Sequence, residues 1–201
     1  MSKKLAILGF IVVVTALIGI GSYLIINNKN DNQPTDVKGT QTTINTASDS
    51  VTGLQFKYDS ALKLQELSQQ DVTDKFIFRL ASTDPAILVS IRYEEGLSAV
   101  SALANQDIYN LLVANTLKAL PQRYPDFKLQ NQQKLQIAGR EALDIVFTYT
   151  GPNGSEATQR FIVLVKDPNT AIYISAQTST SDFKTLNTNY LDPLIFTLTL
   201  K

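Results

Sequence analysis

Glu94 and Glu95 stand side by side at the end of an apolar run, and carboxylate oxygens are the donors that hard cations such as calcium and magnesium select. No other acidic residue clusters near them in sequence, so a solvated strand end accounts for the pair without a metal. Arg140-Glu141, beside Gly139, offers either a charged contact surface or a tight turn with exposed polar side chains. Tyr58, Tyr93, Tyr109, Tyr149 and Tyr173 fall at strand or helix positions, where a core role is the default and a hydroxyl opening on a cleft is the alternative. A serine activated by a lysine requires a positioned, desolvated base, and none is apparent. Gly151 to Gly154 does not open a helix, so it reads as a hairpin turn and not as a phosphate cradle.

Composition removes much of the remaining catalytic repertoire. The chain has no His and no Cys, hence no imidazole base, no disulfide, and no thiolate nucleophile or ligand. No catalytic, cofactor-binding or metal residue is therefore assigned. Lys plus Arg and Asp plus Glu are balanced at 18 each, with the signs interspersed, so no basic face for nucleic acid is indicated.

The elements around these residues begin with Leu5 to Ile26, an uncharged apolar run preceded by Lys3 and Lys4. At about 1.5 Å of rise per residue it is long enough to cross a hydrocarbon core of roughly 30 Å. The basic pair predicts a cytoplasmic N-terminus and an extracytoplasmic C-terminal part. A cleaved signal peptide is the main rival, with Gly19-Ile20-Gly21 as its cleavage site, but the apolar run outlasts the usual h-region of about 7 to 15 residues. A lipoprotein anchor has no cysteine to use, and a pilin helix usually carries an early glutamate that is missing here. Asn27 to Ser50, rich in Asn, Thr, Asp, Gln and Ser, cannot bury enough surface to offset its ordering entropy and reads as a flexible tether. The predicted organisation is residues 1–4 cytoplasmic, 5–26 transmembrane, 27–50 linker and 51–201 one folded domain.

In that domain Leu54 to Tyr58 alternates as a strand, and Lys75 to Ala81 with Ile87 to Glu94 forms a hairpin around Asp84-Pro85. Val100 to Leu120 has helical period and is closed by Pro121 and Pro125. After a lead-in at Lys128 to Ile137, the segments Ala142 to Thr150, Glu156 to Lys166 and Thr170 to Gln177 form an antiparallel meander. Consecutive apolar residues in Phe161 to Val165 and Ala171 to Ile174 predict strands buried on both faces, hence helices on both sides of the sheet. Ser181-Asp182 caps a last helix that Pro193 ends, and Leu194 to Leu200 closes the chain as a short strand.

Gln55-Phe56-Lys57-Tyr58, Ile137-Ala138-Gly139-Arg140-Glu141-Ala142, Gln159 with Phe161, Ile172-Tyr173-Ile174 and the ending from Phe183 to Phe196 occur in an order that resembles the PsbP-like family. These are αβα sandwiches related to the extrinsic photosystem II protein, and the similarity covers most of Leu54 to Leu200. The Pro and Trp that often follow the first strand in this family are missing, with Asp59-Ser60 and Leu62 in that region. Metal sites of the plant members use histidine, so none carries over. The resemblance implies an α+β fold and a non-enzymatic domain that docks on or assists membrane complexes. The expected function is a membrane-anchored binding or assembly module in the cell membrane, with the lipid bilayer and a neighbouring protein as partners. An enzyme using carboxylates or hydroxyls on the same scaffold and a structural, pilin-like surface protein are the alternatives.

Overall fold

The computed structural model describes residues 43–201. The apolar run Leu5 to Ile26 and most of the tether lie outside them. Among the described residues no helix is long and apolar enough to cross a membrane.

Seven antiparallel strands make the main sheet, in the order β3 (Lys63–Leu64), β4 (Phe76–Thr83), β5 (Ala86–Glu95), β9 (Thr170–Ser179), β8 (Glu156–Asp167), β7 (Arg140–Thr150), β6 (Lys128–Ile137). A small second sheet has the order β1 (Ile44–Ser48), β2 (Leu54–Asp59), β10 (Thr199–Leu200). The expected hairpin is present, with Leu80 opposite Val89. So is the meander, with Leu143 opposite Val163 and Val163 opposite Tyr173. Alternation then sorts the side chains of the central strands onto two faces. Val89, Ile91, Ile162, Leu164, Ile172 and Ile174 enter one core, and Phe147, Phe161, Val163 and Tyr173 enter the other.

One face is covered as expected, by α2 (Leu97–Ala104) and α3 (Ile108–Arg123), which bring Leu97, Leu111, Leu112 and Leu120 onto the sheet. The opposite face corrects the expectation of helices alone. There β2 supplies Leu54, Phe56 and Tyr58, and the C-terminal helical segment supplies Leu186, Leu191 and Leu194, so a small sheet and a helix share the layer. Phe56 meets Phe78 edge to face at 5.1 Å between ring centroids, the geometry that aligns the positive edge of one ring with the negative face of the other.

Five boundaries differ from the sequence reading. The tether ends earlier than Ser50, because Ile44 to Ser48 pairs with β2, Ile44 opposite Asp59 and Ser48 opposite Gln55. Of its side chains only Ala47 is buried, so backbone pairing of an edge strand, invisible to hydropathy, holds it. The helix of Val100 to Leu120 is two helices, separated where Asn105 adopts a left-handed φ of 53°, and Asp107 caps the second by accepting a 3.0 Å bond from the Asn110 N–H. The lead-in Lys128 to Ile137 is a full edge strand whose side chains are nearly all exposed, so no alternation marks it. Ser179, not Ser181, caps the last helical segment, which continues past Pro193. It passes through π-helical turns at Leu186–Leu191 into α5 (Asp192–Phe196), following a short α4 (Phe183–Thr185). Pro193 sits in the first turn of α5, where a missing N–H costs nothing, so it starts a helix instead of ending one. Only Thr199–Leu200 of the expected closing strand is extended.

Candidate functional site

The adjacent carboxylates separate, as neighbours on a strand must. Glu95 is exposed, whereas Glu94 is buried on the helix-side face and accepts a 2.7 Å hydrogen bond from the Tyr173 hydroxyl. This corrects the solvated strand end. Burial pushes the Glu94 carboxyl above its usual range, partly offset by the Tyr173 hydrogen bond and the Arg92 charge. Among the described residues no group of three or more potential ligands of the His, Cys, Asp and Glu types is arranged to hold a metal.

Arg140 and Glu141 are exposed at the β6–β7 turn, where Ala138 and Gly139 both have positive φ. Glu141 pairs with Lys134, whose ammonium lies 4.4 Å from the centroid of the Tyr109 ring. Tyr58 is core, Tyr93 carries Lys75 over its ring at 5.4 Å, and the Tyr149 hydroxyl donates to Gln177 Oε1 at 3.1 Å. The S-x-x-K spacing occurs twice, at Ser60 to Lys63 and Ser181 to Lys184, but both lysines are exposed and Lys63 Nζ donates to the Ser60 carbonyl. Neither supplies a desolvated base.

Two features that sequence reasoning missed are better formed. The first is a polar row across the helix-side face between α1 (Gln69–Thr73), which lies over β4, and α3, which lies over β7 and β8. Asp71 Oδ1 accepts from Arg79 Nε at 2.9 Å and Arg79 Nη2 at 2.5 Å. Arg79 Nη1 reaches Ser90 Oγ at 3.4 Å. Ser90 stands opposite Ser175, whose hydroxyl accepts from Gln159 Nε2 at 2.8 Å. One step along the same face Arg92 stands opposite Tyr173 and stacks its guanidinium 4.4 Å from that ring's centroid. The signal for this row was the polar set Ser90, Arg92 and Glu94 at every second position of an apolar strand, which reads as an exposed face until a helix is seen above it. On the opposite face Arg160, paired with Asp144, ties the sheet to the C-terminal helical segment.

The second feature is a groove of about 970 Å³ between β2 and the C-terminal helical segment, lined by Ile44, Lys57, Tyr58, Asp59, Tyr190 and Pro193 among others. Phe196, one helical turn beyond Pro193, is 91 % exposed.

An antiparallel sheet covered on one face by three helices and on the other by a small sheet and a C-terminal helix defines an α+β sandwich. The chain belongs to the PsbP-like family, whose model, described as PsbP-like protein, matches residues 7–190. Among solved structures, the cyanobacterial PsbP (CyanoP) of Synechocystis sp. PCC 6803 superposes with a TM-score of 0.53 at 12 % identity, covering 83 % of this chain and 98 % of that one. LpqN of Mycobacterium tuberculosis, described as involved in cell envelope biogenesis, superposes with a TM-score of 0.53 at 11 % identity, covering 80 % and 92 %. These likenesses are of fold. No curated protein matches the chain.

Proposed function

We propose that the chain is a membrane-anchored module whose extracytoplasmic PsbP-like domain binds a protein in or near the same membrane and works by contact, without catalysis or a metal. The observation that carries this is the groove between β2 and the C-terminal helical segment, because its lining includes Ile44, at the N-terminal end of β1, and Thr197, the neighbour in sequence of the exposed Phe196. A domain held at a membrane by a polar linker meets a neighbour at raised effective concentration, so a small interface suffices. Fold similarity to an envelope-biogenesis protein agrees with an envelope location.

The test is a photo-crosslinking residue placed at Phe196 of the full chain, followed by solubilisation of the membranes and identification of the adducts. A single dominant protein adduct is expected, lost in Tyr190→Ala and reduced when residues 30–41, which precede β1, are deleted. The same adducts from a control crosslinker at Leu129, on edge strand β6, would overturn the assignment of the groove.

A further inference from the structure

Among the described residues β1 is an edge strand, paired with β2 on one side only. In an antiparallel pair the residues that exchange bonds with the partner strand alternate with those that do not. The Thr43 carbonyl accepts from the Ser60 N–H at 2.9 Å, and the Asp49 N–H donates to the Leu54 carbonyl at 2.8 Å, so Thr43, Asn45, Ala47 and Asp49 form the set bonded to β2. The N–H and C=O groups of Ile44, Thr46 and Ser48 therefore point away from β2, and among the described residues no strand lies beyond them. Their side chains share the outward face of the small sheet with Asp59, Lys57 and Gln55, since Ala47, Phe56 and Tyr58 take the core face.

Natural proteins ordinarily blunt such edges with shortness, charge, proline or a bulge. β6 carries Lys128 and Lys134 and a register shift between Leu129 and Asn131, while β3 and β10 have two residues each. β1 has none of these devices. Its five residues include no charge and no proline, and the register with β2 runs unbroken from Ile44 to Ser48. The face beside this open edge is chemically uneven. Ile44 is 55 % exposed. Lys57, across from Thr46, is exposed and enters no ion pair among the described residues. Asp59 is turned to its own loop, where Oδ1 accepts from the Ala61 N–H at 2.8 Å. Ile44, Lys57 and Asp59 all line the groove, so the open edge and the groove are parts of one surface.

We infer that the partner at the groove is bound by strand addition: an extended acidic segment of that protein pairs antiparallel with β1 through Ile44, Thr46 and Ser48. Main-chain bonds to the open edge supply the affinity, and the alternate side chains that fall on the outward face supply the choice of sequence. An acidic residue opposite Thr46 lies two strand spacings from Lys57, about 10 Å, which a lysine and a glutamate span between them. The residue two positions after it falls opposite Ile44 and is apolar. A second copy of this chain would instead bring Lys57 to face Lys57 across the pair and offer neither a counter-charge. This inference rests on the groove as the contact site and specifies how its partner is recognised there.

The experiment uses the full chain in its membranes with the photo-crosslinking residue at Phe196 and compares three substitutions in that background. Thr46→Pro removes only the outward N–H and leaves the bonds between β1 and β2 in place, so the thermal midpoint stays within about 3 °C of the parent. Its adduct falls by about tenfold or more, because the added strand loses a central bond and meets the proline ring. Thr46→Val keeps the N–H and holds the adduct within about twofold of the parent. Lys57→Glu, an exposed change that does not depend on a proline being accommodated, lowers the adduct by about tenfold through like-charge repulsion. Retention of the adduct in Thr46→Pro overturns strand addition, and retention in Lys57→Glu overturns the acidic segment. In either case an adduct still lost in Tyr190→Ala leaves the groove standing as the contact site. An adduct between two copies of this chain overturns the acidic partner, and no dominant adduct in the parent overturns the groove and the strand addition together.

Discussion

The Tyr173 hydroxyl donates a 2.7 Å hydrogen bond to Glu94 Oε2 diagonally across the β5–β9 ladder, with both side chains buried beneath the helix layer. The bond survives protonation of the carboxyl, whereas the charge of the carboxylate is poorly solvated there. Burial therefore dominates and raises the Glu94 pKa above its ordinary value of 4.5. A folded-state pKa above the unfolded one means that the contribution to stability is fully present below about 4.5 and is lost as pH rises through the folded value.

Glu94→Gln keeps an acceptor for Tyr173 and removes the titration. Thermal unfolding of the variant is expected to match the parent near pH 4 and to exceed it near pH 7, by about 1.4 kcal/mol for each unit of folded-state shift. A variant less stable than the parent at pH 7 would show that the ionised carboxylate is stabilising.

Arg160 offers a second buried charge with the opposite character. Its Nε and Nη2 donate to the two oxygens of Asp144 at 2.9 and 3.0 Å, and its Nη1 donates to Asn187 and Asp192 at 2.9 and 2.5 Å. Asp144→Ala leaves this guanidinium without its buried partner and is expected to cost about 3–5 kcal/mol. Asp192 is half exposed, so Asp192→Asn is expected to cost under about 1 kcal/mol. Urea unfolding of the two variants measures the difference, and equal losses would mean that the Asp192 contact, not the Asp144 pair, holds the C-terminal helical segment to the sheet.

Where a strand is buried on both faces, its sequence said so. Phe161 to Val165 and Ala171 to Ile174 lie at the centre of the main sheet, and their uninterrupted apolar character required two covering layers. What covers each layer was not legible in those strands. β1 and β6 escaped because edge strands are held by backbone bonds and show polar side chains to water. Pro193 was misread because proline both ends and begins helices, and only the π-helical turns before it distinguish the cases. The polar row was hidden by alternation itself, since Ser90 and Arg92 occupy positions that would face solvent in a two-layer protein. Gln159 entered only through the family resemblance.

The two faces can be tested at neighbouring positions. Val163 and Leu164 are 1 % and 0 % exposed and belong to different cores. Val163→Asp and Leu164→Asp each bury an unpaired carboxylate and are expected to destabilise by more than about 4 kcal/mol, enough to lower the yield of folded domain. Tolerance of either substitution in thermal unfolding would mean that its face is open to water.

Gly53 separates two costs that glycine substitutions usually confound. It turns the chain between β1 and β2 with a φ of +69°, and a Cβ placed there would lie 2.8 Å from the Lys201 carbonyl oxygen. The Lys201 N–H in turn donates to the Gly53 carbonyl at 3.1 Å, so the end of the chain is laced to this turn. Gly139, at the β6–β7 turn, has a similar φ of +73°, yet a Cβ there meets nothing within 4 Å. Gly139→Ala is thus expected to cost only the left-handed strain, about 1–2 kcal/mol. Gly53→Ala carries the same strain and must also push away backbone, which loosens β10 from β2. It is expected to cost at least ~1 kcal/mol more and to speed amide exchange at Leu200 and Lys201, which Gly139→Ala leaves unchanged. Equal costs for the two substitutions, with exchange at Lys201 unaffected, would mean that the C-terminal residue is not held against the turn.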